Sequence, residues 1–330
     1  MATTLAAPAF AQGKTKIKMI LNWRYQGPQS WFFLAQDKGY FDEAGIALTM
    51  DQGNGSGAAV GHVAGGAYDV GFGDVNALIR LAGTKPDEAP LCVYQMYNKP
   101  PFTVAVLADS DIQTAEDLQG RLLGGAANDG ALKLFPAFAN VAGLDTSGIE
   151  ILNFKSNLRE QMLKIKEVEG VFGYVNTIRF SAKLSGMNPD EEIRFISYGD
   201  YGMDLYSNGL IIPKAMAEES PEMVRGMCWA INQGVKDTLA DLDAAVDAVA
   251  AREPLINKEI EKERLIATLQ DEMNHPALAT TGLGNVDPDR FKQATDLVVK
   301  ANALPRTPEP SEIFSDAFLP AEDERIYKLL

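Results

Sequence analysis

Short apolar segments alternate with helical patterns along most of this 330-residue chain, and this rhythm constrains its fold more than any other feature. Lys16–Leu21 and Val70–Phe72 have the length and the apolar content of buried strands. Gln29–Lys38 carries apolar residues at helical spacing and is followed by Gly39, a residue type that often ends helices. Such alternation is typical of α/β folds with largely parallel sheets. The sequence therefore predicts an α/β fold with mixed, mostly parallel sheets.

Two polar stretches, Tyr97–Phe102 and Ser197–Asn208, interrupt the alternation, and we interpret them as paired crossovers between two lobes. The chain length suits one large domain or two of medium size. The C-terminal third of the sequence is predicted to be almost wholly helical. The predicted division is a discontinuous first lobe, residues 14–100 and 204–330, and an inserted second lobe, residues 101–203.

The scarcity of histidine and cysteine argues against most metal and thiol chemistry. His62 and His275 lie far apart, and neither has a second ligand residue at metal-binding spacing, so we interpret the first as structural and the second as exposed. The sequence contains no G-x-S-x-G elbow and no Walker loop, and its Gly53–Gly57 stretch departs from the dinucleotide-binding fingerprint. We therefore expect no metal, no cofactor and no enzymatic activity.

The charge balance and the hydropathy exclude two further classes of partner. The 45 acidic residues exceed the 30 basic ones by 15, and the chain lacks the basic stripe that neutralises nucleic-acid phosphates. No window reaches the roughly 18 apolar residues of a membrane span. We expect a soluble monomer that binds neither nucleic acid nor lipid.

The first eleven residues read as the end of an export signal. Ala9-Phe10-Ala11 fits the A-x-A rule of signal-peptidase sites, although no Lys or Arg precedes Lys14. We interpret residues 1–11 as a remnant of such a signal, with a disordered alanine-rich terminus as the alternative. Export without a second anchor predicts a periplasmic location.

The two cysteines lie inside apolar runs of the sequence. An oxidising periplasm would permit a disulfide between Cys92 and Cys228. Cysteine in an apolar run, however, commonly behaves as a small buried hydrophobe. Two separate buried thiols are the preferred interpretation.

A series of motifs, in order along residues 16–240, resembles bacterial periplasmic solute-binding proteins of the alkanesulfonate and thiamine-pyrimidine-precursor type. The resemblance implies a type II periplasmic-binding-protein fold, in which two lobes close on a small-molecule ligand. It also implies an ABC importer permease in the inner membrane as partner. The motifs are Leu21-Asn22-Trp23, Phe33–Phe41, Gly45-Ile46, Gly65–Gly73, Asp117–Gly120 and Gly170–Tyr174.

The chain also departs from that family pattern. The first loop reads Arg24–Gln29 where pyrimidine-binding members commonly carry a proline and a histidine, and Glu169-Gly170 stands where an aspartate is often found. The fungal relatives that synthesise the pyrimidine use a cysteine-rich motif, which this sequence lacks. The enzymatic branch of the family is therefore the least favoured interpretation.

Candidate ligand-binding residues follow the carboxyl ends of predicted strands, where open α/β sheets bind their ligands. Trp23 would stack on a planar ligand, and Ser56 and Asp129 precede or open helices whose N-termini favour anionic groups. The alternative for these residues is packing or plain helix capping. The full set is Asn22, Trp23, Arg24, Tyr25, Ser56, Gly57, Asp74, Asn76, Tyr97, Asn128, Asp129, Tyr174, Asn176, Tyr201 and Asp204.

Arg24 distinguishes two classes of ligand. Pointing inward, its guanidinium would bind a sulfonate or a carboxylate with two hydrogen bonds. Pointing outward, it would leave Asp74 and Asp129 in a pocket suited to an amino-heterocycle. The leading prediction is a protein that captures a small planar, aromatic or pyrimidine-like compound of the thiamine-precursor type and delivers it to the importer. An organic sulfonate or an aromatic carboxylate is the alternative ligand.

Overall fold

Ten strands form two five-stranded sheets in the computed structural model, which describes residues 13–330. In chain order the strands are β1 (Thr15–Ile20), β2 (Ile46–Asp51), β3 (Val70–Asp74), β4 (Leu91–Gln95), β5 (Phe102–Leu107), β6 (Leu122–Gly125), β7 (Glu150–Asn153), β8 (Gly170–Tyr174), β9 (Ile193–Ser197) and β10 (Asn208–Ile212). The first sheet has the order β2-β1-β3-β10-β4 and the second the order β7-β6-β8-β5-β9.

Each sheet is mixed. β1 runs parallel to β2 and β3, and β6 runs parallel to β7 and β8. β10 is antiparallel to β3 and β4, and β5 is antiparallel to β8 and β9. The α/β class with mixed sheets is confirmed. Its antiparallel share is larger than predicted because β5 and β10, the first strand after each crossover, both run against their neighbours.

Helices pack around both sheets, and their bounds follow the sequence patterns closely. In chain order they are α1 (Ser30–Asp37), α2 (Tyr40–Glu43), α3 (Ser56–Ala64), α4 (Val75–Thr84), α5 (Gly130–Ala142), α6 (Arg159–Lys164), α7 (Val175–Leu184), α8 (Pro189–Glu192), α9 (Lys214–Glu219), α10 (Pro221–Ala240), α11 (Leu242–Ala250), α12 (Lys258–Ala267), α13 (Leu278–Thr281), α14 (Pro288–Ala301) and α15 (Pro310–Ile313).

Two helical regions have features that the sequence patterns do not show. Helix α12 ends at Ala267, and a π-helical segment, Thr268–Met273, continues it. Helix α7 has no sequence signal of its own, because it begins at Val175 directly after β8 ends at Tyr174. No glycine, proline or capping residue separates the two elements.

The central strands are buried on both faces, which explains why they read as continuous apolar runs. All residues of β3, β4, β8 and β10 are buried, whereas β7 at the edge of the second sheet is exposed along its length. Trp31, Phe32 and Phe72 lie in the main core cluster, which packs α1 against the first sheet. Val171 and Ile178 belong to a smaller cluster in the second.

The chain passes between the sheets twice, after β4 and after β9. Strands of the first sheet come from residues 15–95 and 208–212, and those of the second from residues 102–197. We keep the names first lobe and second lobe for the residue ranges given above, whose bounds stay a prediction. None of the helices that residues 13–330 form is both long and apolar enough to span a membrane.

Cys92 and Cys228 are both free and buried, which confirms two separate thiols. Burial raises the pKa of Cys92 to about 12. His62 lies exposed against the edge of the Tyr68 ring. His275 is not exposed as predicted but partly buried, because its Nδ1 accepts a hydrogen bond from the Ala277 amide (3.1 Å). The predicted export-signal remnant lies outside the described residues.

Candidate functional site

Two adjoining chambers lie between the lobes, and residues of both lobes line each of them. The first chamber has a cavity volume of about 30 Å³ and is lined by Asn22, Trp23, Gly55, Ser56, Asp129, Gly130, Arg159, Tyr174 and Thr177. The second has a cavity volume of about 20 Å³ and is lined by Asn22, Trp23, Gln26, Pro28, Gln29, Tyr97, Tyr174, Asn176, Thr177, Arg264, Thr268 and Glu272. Four residues, shared by the two sets, form the boundary between the chambers.

The N-termini of α3 and α5 meet at the first chamber. A side chain added at Gly130 would lie 3.4 Å from Ser56 Oγ, so the first residues of the two helices are in contact across the lobes. Asp129 caps α5 by accepting a hydrogen bond from the Ala131 amide (2.8 Å). Its burial raises the pKa of its carboxyl, while Arg159 opposes that change. The junction therefore combines two helix N-termini, that of α5 capped by Asp129, with the buried charges of Asp129 and Arg159.

Arg159 supplies a buried positive charge to the first chamber. Its Nε and Nη2 donate to Glu160 Oε1 (2.9 and 2.7 Å), and its Nη1 lies 4.0 Å from Asp129 Oδ2, too far for a hydrogen bond. Gly173 on β8 makes room for the guanidinium, since a Cβ there would lie 2.5 Å from Nη1. Nη1 is thus the atom of Arg159 best placed to bind an acidic ligand group.

The second chamber is lined by buried polar atoms that lack protein partners. The Thr268 hydroxyl and Arg264 Nη2 form no hydrogen bond with any of residues 13–330, and the Asn176 amide has only a contact with the Glu272 carboxyl that falls short of hydrogen-bond geometry. Arg264 Nε lies 3.0 Å from Glu261 Oε2, and its Nη1 donates to the Thr177 carbonyl at 3.5 Å. Buried polar groups are normally paired, so this chamber has unused capacity for hydrogen bonds.

Glu272 adds a carboxyl to the second chamber. Removal from water, and to a lesser degree the neighbouring Asp271, raises its pKa to about 8, while Asn176 and Arg264 lower it. At neutral pH this carboxyl is therefore largely protonated and can donate a hydrogen bond.

Tyr174 joins the lobes at the boundary of the chambers. Its hydroxyl lies 2.6 Å from Ser56 Oγ and 3.1 Å from Ser207 Oγ, and it donates to Asn208 Oδ1 at 3.2 Å. Tyr174 belongs to the second lobe and its three partners belong to the first. Side chains of the two lobes are therefore in hydrogen-bond contact at the boundary of the chambers.

Seven of the residues that the sequence suggested line the chambers. Trp23 is half-buried and borders both, and the others are buried. The seven are Asn22, Trp23, Ser56, Tyr97, Asp129, Tyr174 and Asn176.

Four suggested residues of the loops lie outside the chamber linings. Arg24 is exposed, because the first loop turns Trp23 into the cleft and leaves the next side chain in solvent. Tyr25 packs edge-on against Phe33 and donates to the Met50 carbonyl (2.6 Å). Gly57 and Asn128 face each other across the mouth of the cleft, where the Asn128 side chain is exposed.

The other four suggested residues have structural roles. Asp74 is fully buried and caps α4, accepting from the backbone and side-chain nitrogens of Asn76 (3.1 and 2.8 Å). Tyr201 accepts a hydrogen bond from the Ala115 amide inside the second lobe. Asp204 forms a salt bridge with Arg290 on α14 (2.6 Å). None of these four residues lines either chamber.

Several lining residues were missed, above all Arg159, Arg264, Thr268 and Glu272. Each lies on a helical segment, where a charged or hydroxyl side chain reads in sequence as part of a solvated face. Contacts between segments distant in sequence bury them: α12 packs against α7 and the first loop, and α6 packs against β8 and α7. Gly27 is a weak sequence signal for this contact. A Cβ at this position would lie 2.2 Å from the Glu261 carbonyl, so the glycine allows the first loop to approach α12 closely.

Comparison with known proteins identifies the sequence family of this chain. The sequence model of the family described as NMT1/THI5 like matches residues 29–245, well over half of the chain. The chain belongs to the NMT1/THI5-like family. This assignment agrees with the resemblance drawn from the motifs. Arg159 lies within the matched segment, whereas Arg264, Thr268 and Glu272 lie beyond its end.

Curated relatives of this family member carry two kinds of name. A 4-amino-5-hydroxymethyl-2-methylpyrimidine phosphate synthase from Legionella pneumophila is 22% identical over 263 residues, which cover 79% of this chain and 81% of the relative. The riboflavin-binding protein RibY of Chloroflexus aurantiacus is 23% identical over 300 residues, covering 88% and 82%.

Solved structures show the fold of this family member to be that of periplasmic binding proteins. The alkanesulfonate-binding protein SsuA from Xanthomonas axonopodis, bound to MOPS, superposes with a TM-score of 0.69 at 15% identity, covering 94% of this chain and 99% of that one. The nitrate-binding protein NrtA from Synechocystis superposes with a TM-score of 0.67 at 9% identity, covering 92% and 87%. The predicted type II fold is confirmed.

Proposed function

We propose that this protein is a periplasmic solute-binding protein, without enzymatic activity, that captures a small planar compound between its lobes and delivers it to an ABC importer permease. The observation that carries the proposal is the cleft itself, in which side chains of both lobes enclose two adjoining chambers. Trp23 and Tyr174 border both chambers and offer ring faces to a planar ligand. The lobes are proposed as residues 14–100 with 204–330 and residues 101–203, and the protein as a monomer.

A pyrimidine-like heterocycle is the leading ligand class. The amide of Asn176 offers an unused donor and an unused acceptor, and the Glu272 carboxyl lies in the same chamber. Nitrogen heterocycles with amino substituents carry matching acceptors and donors in the plane of the ring. The exposed position of Arg24 removes the nearest cation of the first loop from this pocket.

An organic sulfonate or an aromatic carboxylate is the second candidate. Arg159 and the N-termini of α3 and α5 meet in the first chamber, and such a combination favours a negative group. The nearby carboxylates of Asp129 and Glu160 weaken the positive field of Arg159. For that reason this class ranks second.

A thermal-shift panel tests the binding role. The purified protein is heated with 4-amino-5-hydroxymethyl-2-methylpyrimidine, with MOPS or with benzoate. A compound present at a hundredfold excess over its Kd stabilises the folded state by about 2.7 kcal/mol, which raises the melting temperature by a few degrees. If no member of the panel raises the melting temperature, and native mass spectrometry finds no co-purified small molecule, the proposed function is wrong. A chemically altered product released from the protein would instead favour the biosynthetic-enzyme alternative.

The two ligand classes are separated by a pair of arginine variants. Arg159→Gln removes the buried cation of the first chamber. Arg24→Gln is the control, because it removes an exposed cation of the first loop that lies outside both chambers. If the ligand is an anion, Arg159→Gln should weaken its binding by roughly ten- to a hundredfold, since a hydrogen bond to a charged group contributes about 1.5–3 kcal/mol. Arg24→Gln should leave the affinity unchanged. Equal affinity of both variants for MOPS in titration calorimetry would exclude a sulfonate at Arg159.

A further inference from the structure

The second chamber holds more unsatisfied polar atoms than the fold itself can explain. Asn176 and Thr268 are almost completely buried; the Thr268 hydroxyl has no hydrogen-bond partner within residues 13–330, and the Asn176 amide has only its contact with the Glu272 carboxyl, which falls short of hydrogen-bond geometry. Arg264 is 1% exposed, and its Nη2 is without a partner in the described part of the chain. A polar group left buried and unpaired destabilises the folded protein. These three side chains converge on one cavity, which indicates that something outside the protein completes them.

The elements behind these side chains are held in place independently of any ligand. The Gly27 amide donates to Glu261 Oε2 (2.8 Å), which fixes the first loop against α12. The carbonyl of Glu272 accepts from the Lys99 amide, and that of Met273 accepts from Asn98 Nδ2, both at 2.9 Å. The π-helical segment is therefore tied to the first crossover. Rare π-helical turns occur mostly where a functional site requires them.

We propose that the second chamber is the specificity pocket of the cleft and binds the edge of a planar ligand that carries adjacent hydrogen-bond acceptors and donors. This inference rests on the proposed solute-binding function and names the part of the ligand that is read. Arg264 Nη2, Asn176 Nδ2 and the Thr268 hydroxyl face ligand acceptors, and Asn176 Oδ1 faces a ligand donor. Amides, imides and amino-substituted azines are the chemical classes that present such an edge.

The two chambers draw on different parts of the chain. Arg264, Thr268 and Glu272 all follow residue 245, where the family match ends. Every residue that lines the first chamber precedes that point. Two chambers with different linings let one cleft recognise two parts of a ligand, since specificity is a difference of affinities set by local contacts.

Matched probes test the pocket with the full chain. Wild-type protein is titrated calorimetrically with 4-amino-2-methylpyrimidine and with 2-methylpyrimidine, which lacks the amino donor. The amino compound should bind at least tenfold more tightly, because the second compound leaves the Asn176 acceptor unpaired. Equal affinity for the two probes, or no binding of either by folded protein, overturns the specificity pocket. If neither probe binds but MOPS does, the specificity pocket is wrong and the proposed solute-binding function is retained.

Near-isosteric variants separate recognition from folding. Thr268→Val removes a hydroxyl that has no partner in the described protein, so it should leave the melting temperature unchanged or higher. Asn176→Leu also removes the contact of the amide with Glu272, so its affinity is measured on protein that circular dichroism shows to be folded. Each should weaken binding of 4-amino-2-methylpyrimidine by roughly five- to a hundredfold. Thr295→Val is the control, because its buried hydroxyl donates to the Phe291 carbonyl (2.9 Å) on a distant helix, so the change should lower stability and spare affinity. Unchanged affinity in Thr268→Val and Asn176→Leu overturns the proposal.

Discussion

At the scale of single residues, the cleft contains ionisable groups whose pKa values burial has shifted. Removal from water lowers the pKa of Arg264, and the nearby acids oppose that change. Removal from water raises the pKa of Glu272, which Asp271 raises further and Arg264 lowers. Such perturbed groups gather at functional sites more often than elsewhere. Here they coincide with the second chamber, which gives the perturbation a geometric setting.

Glu272 makes stability depend on pH. Its pKa of about 8 in the folded protein lies above the usual 4.5, so the folded state retains a proton that the unfolded chain has lost between these values. The free energy of unfolding should therefore fall as the pH rises from about 4.5 to about 8. Asp271, Arg264 and Tyr97 are the titratable groups that interact with it, and all three remain in the variant below.

Glu272→Gln should remove this dependence. The variant should gain stability relative to the wild type progressively across that pH window, by an amount on the order of a few kcal/mol at pH 8, since one pKa unit corresponds to about 1.4 kcal/mol. Urea denaturation at pH 5, 6, 7 and 8 measures the difference. Glu218→Gln, at an exposed position of α9, serves as the control. Parallel stability curves for wild type and Glu272→Gln would contradict the assignment of a buried, protonated carboxyl.

At the scale of elements, close approach decides where the site forms. The first loop reaches α12 only because Gly27 lacks a side chain, and Arg159 reaches the chamber only because Gly173 lacks one. Both glycines lie at contacts between elements distant in sequence. Gly61 inside α3, by contrast, has no neighbour that a methyl group would strike among residues 13–330.

Two glycine substitutions should therefore have opposite effects. Gly61→Ala adds a methyl group to an exposed helix interior and should stabilise the protein by about 0.5–1 kcal/mol, because alanine loses less backbone entropy. Gly27→Ala would place its Cβ 2.2 Å from the backbone carbonyl of Glu261 and should destabilise it by about 1–3 kcal/mol. Differential scanning calorimetry compares the two. A stable Gly27→Ala protein that retains ligand affinity would show that the loop-to-helix contact does not shape the second chamber.

At the scale of the whole molecule, hydrogen bonds across the cleft hold the lobes together. Tyr174 contacts Ser56, Ser207 and Asn208 of the opposite lobe, and Lys183 on α7 pairs with Glu263 on α12. The exposed Lys183–Glu263 pair contributes little, so the buried contacts, those of the Tyr174 hydroxyl and of Arg264 with the Thr177 carbonyl, matter more. A ligand shifts such an equilibrium only as far as it binds the closed form better.

Tyr174→Phe should open the ligand-free protein. Loss of these hydrogen bonds costs the closed form about 1–2 kcal/mol, which should weaken ligand binding by roughly five- to thirtyfold without changing the ring contacts. Small-angle scattering should show a larger radius of gyration for the ligand-free variant and a return to the compact value at saturating ligand. The control is Tyr198→Phe, whose hydroxyl donates to the Ala131 carbonyl within the second lobe (2.9 Å). An unchanged radius in Tyr174→Phe would contradict its role in closure.

The sequence by itself determined the elements of this protein, and through them its fold. Apolar runs, capping residues and the motifs along residues 16–240 carry that information locally, so the strands, most helices and the family followed from them. The same local signals identified the loops at the strand ends, and hence Asn22, Trp23, Ser56 and Asp129 as cleft residues. Helix α7 is the exception, since no turn residue separates it from β8.

The tertiary structure alone decided which polar side chains face the cleft. Asp74 and Arg159 look alike in sequence, as charged residues beside a helix start, yet one caps α4 beneath the surface and the other lines the first chamber. Arg264 and Glu272 lie more than 80 residues beyond the strand that carries Tyr174 and enter the site only when the lobes pack together. Burial and pairing are properties of contacts between distant segments, and a linear pattern records only neighbours along the chain.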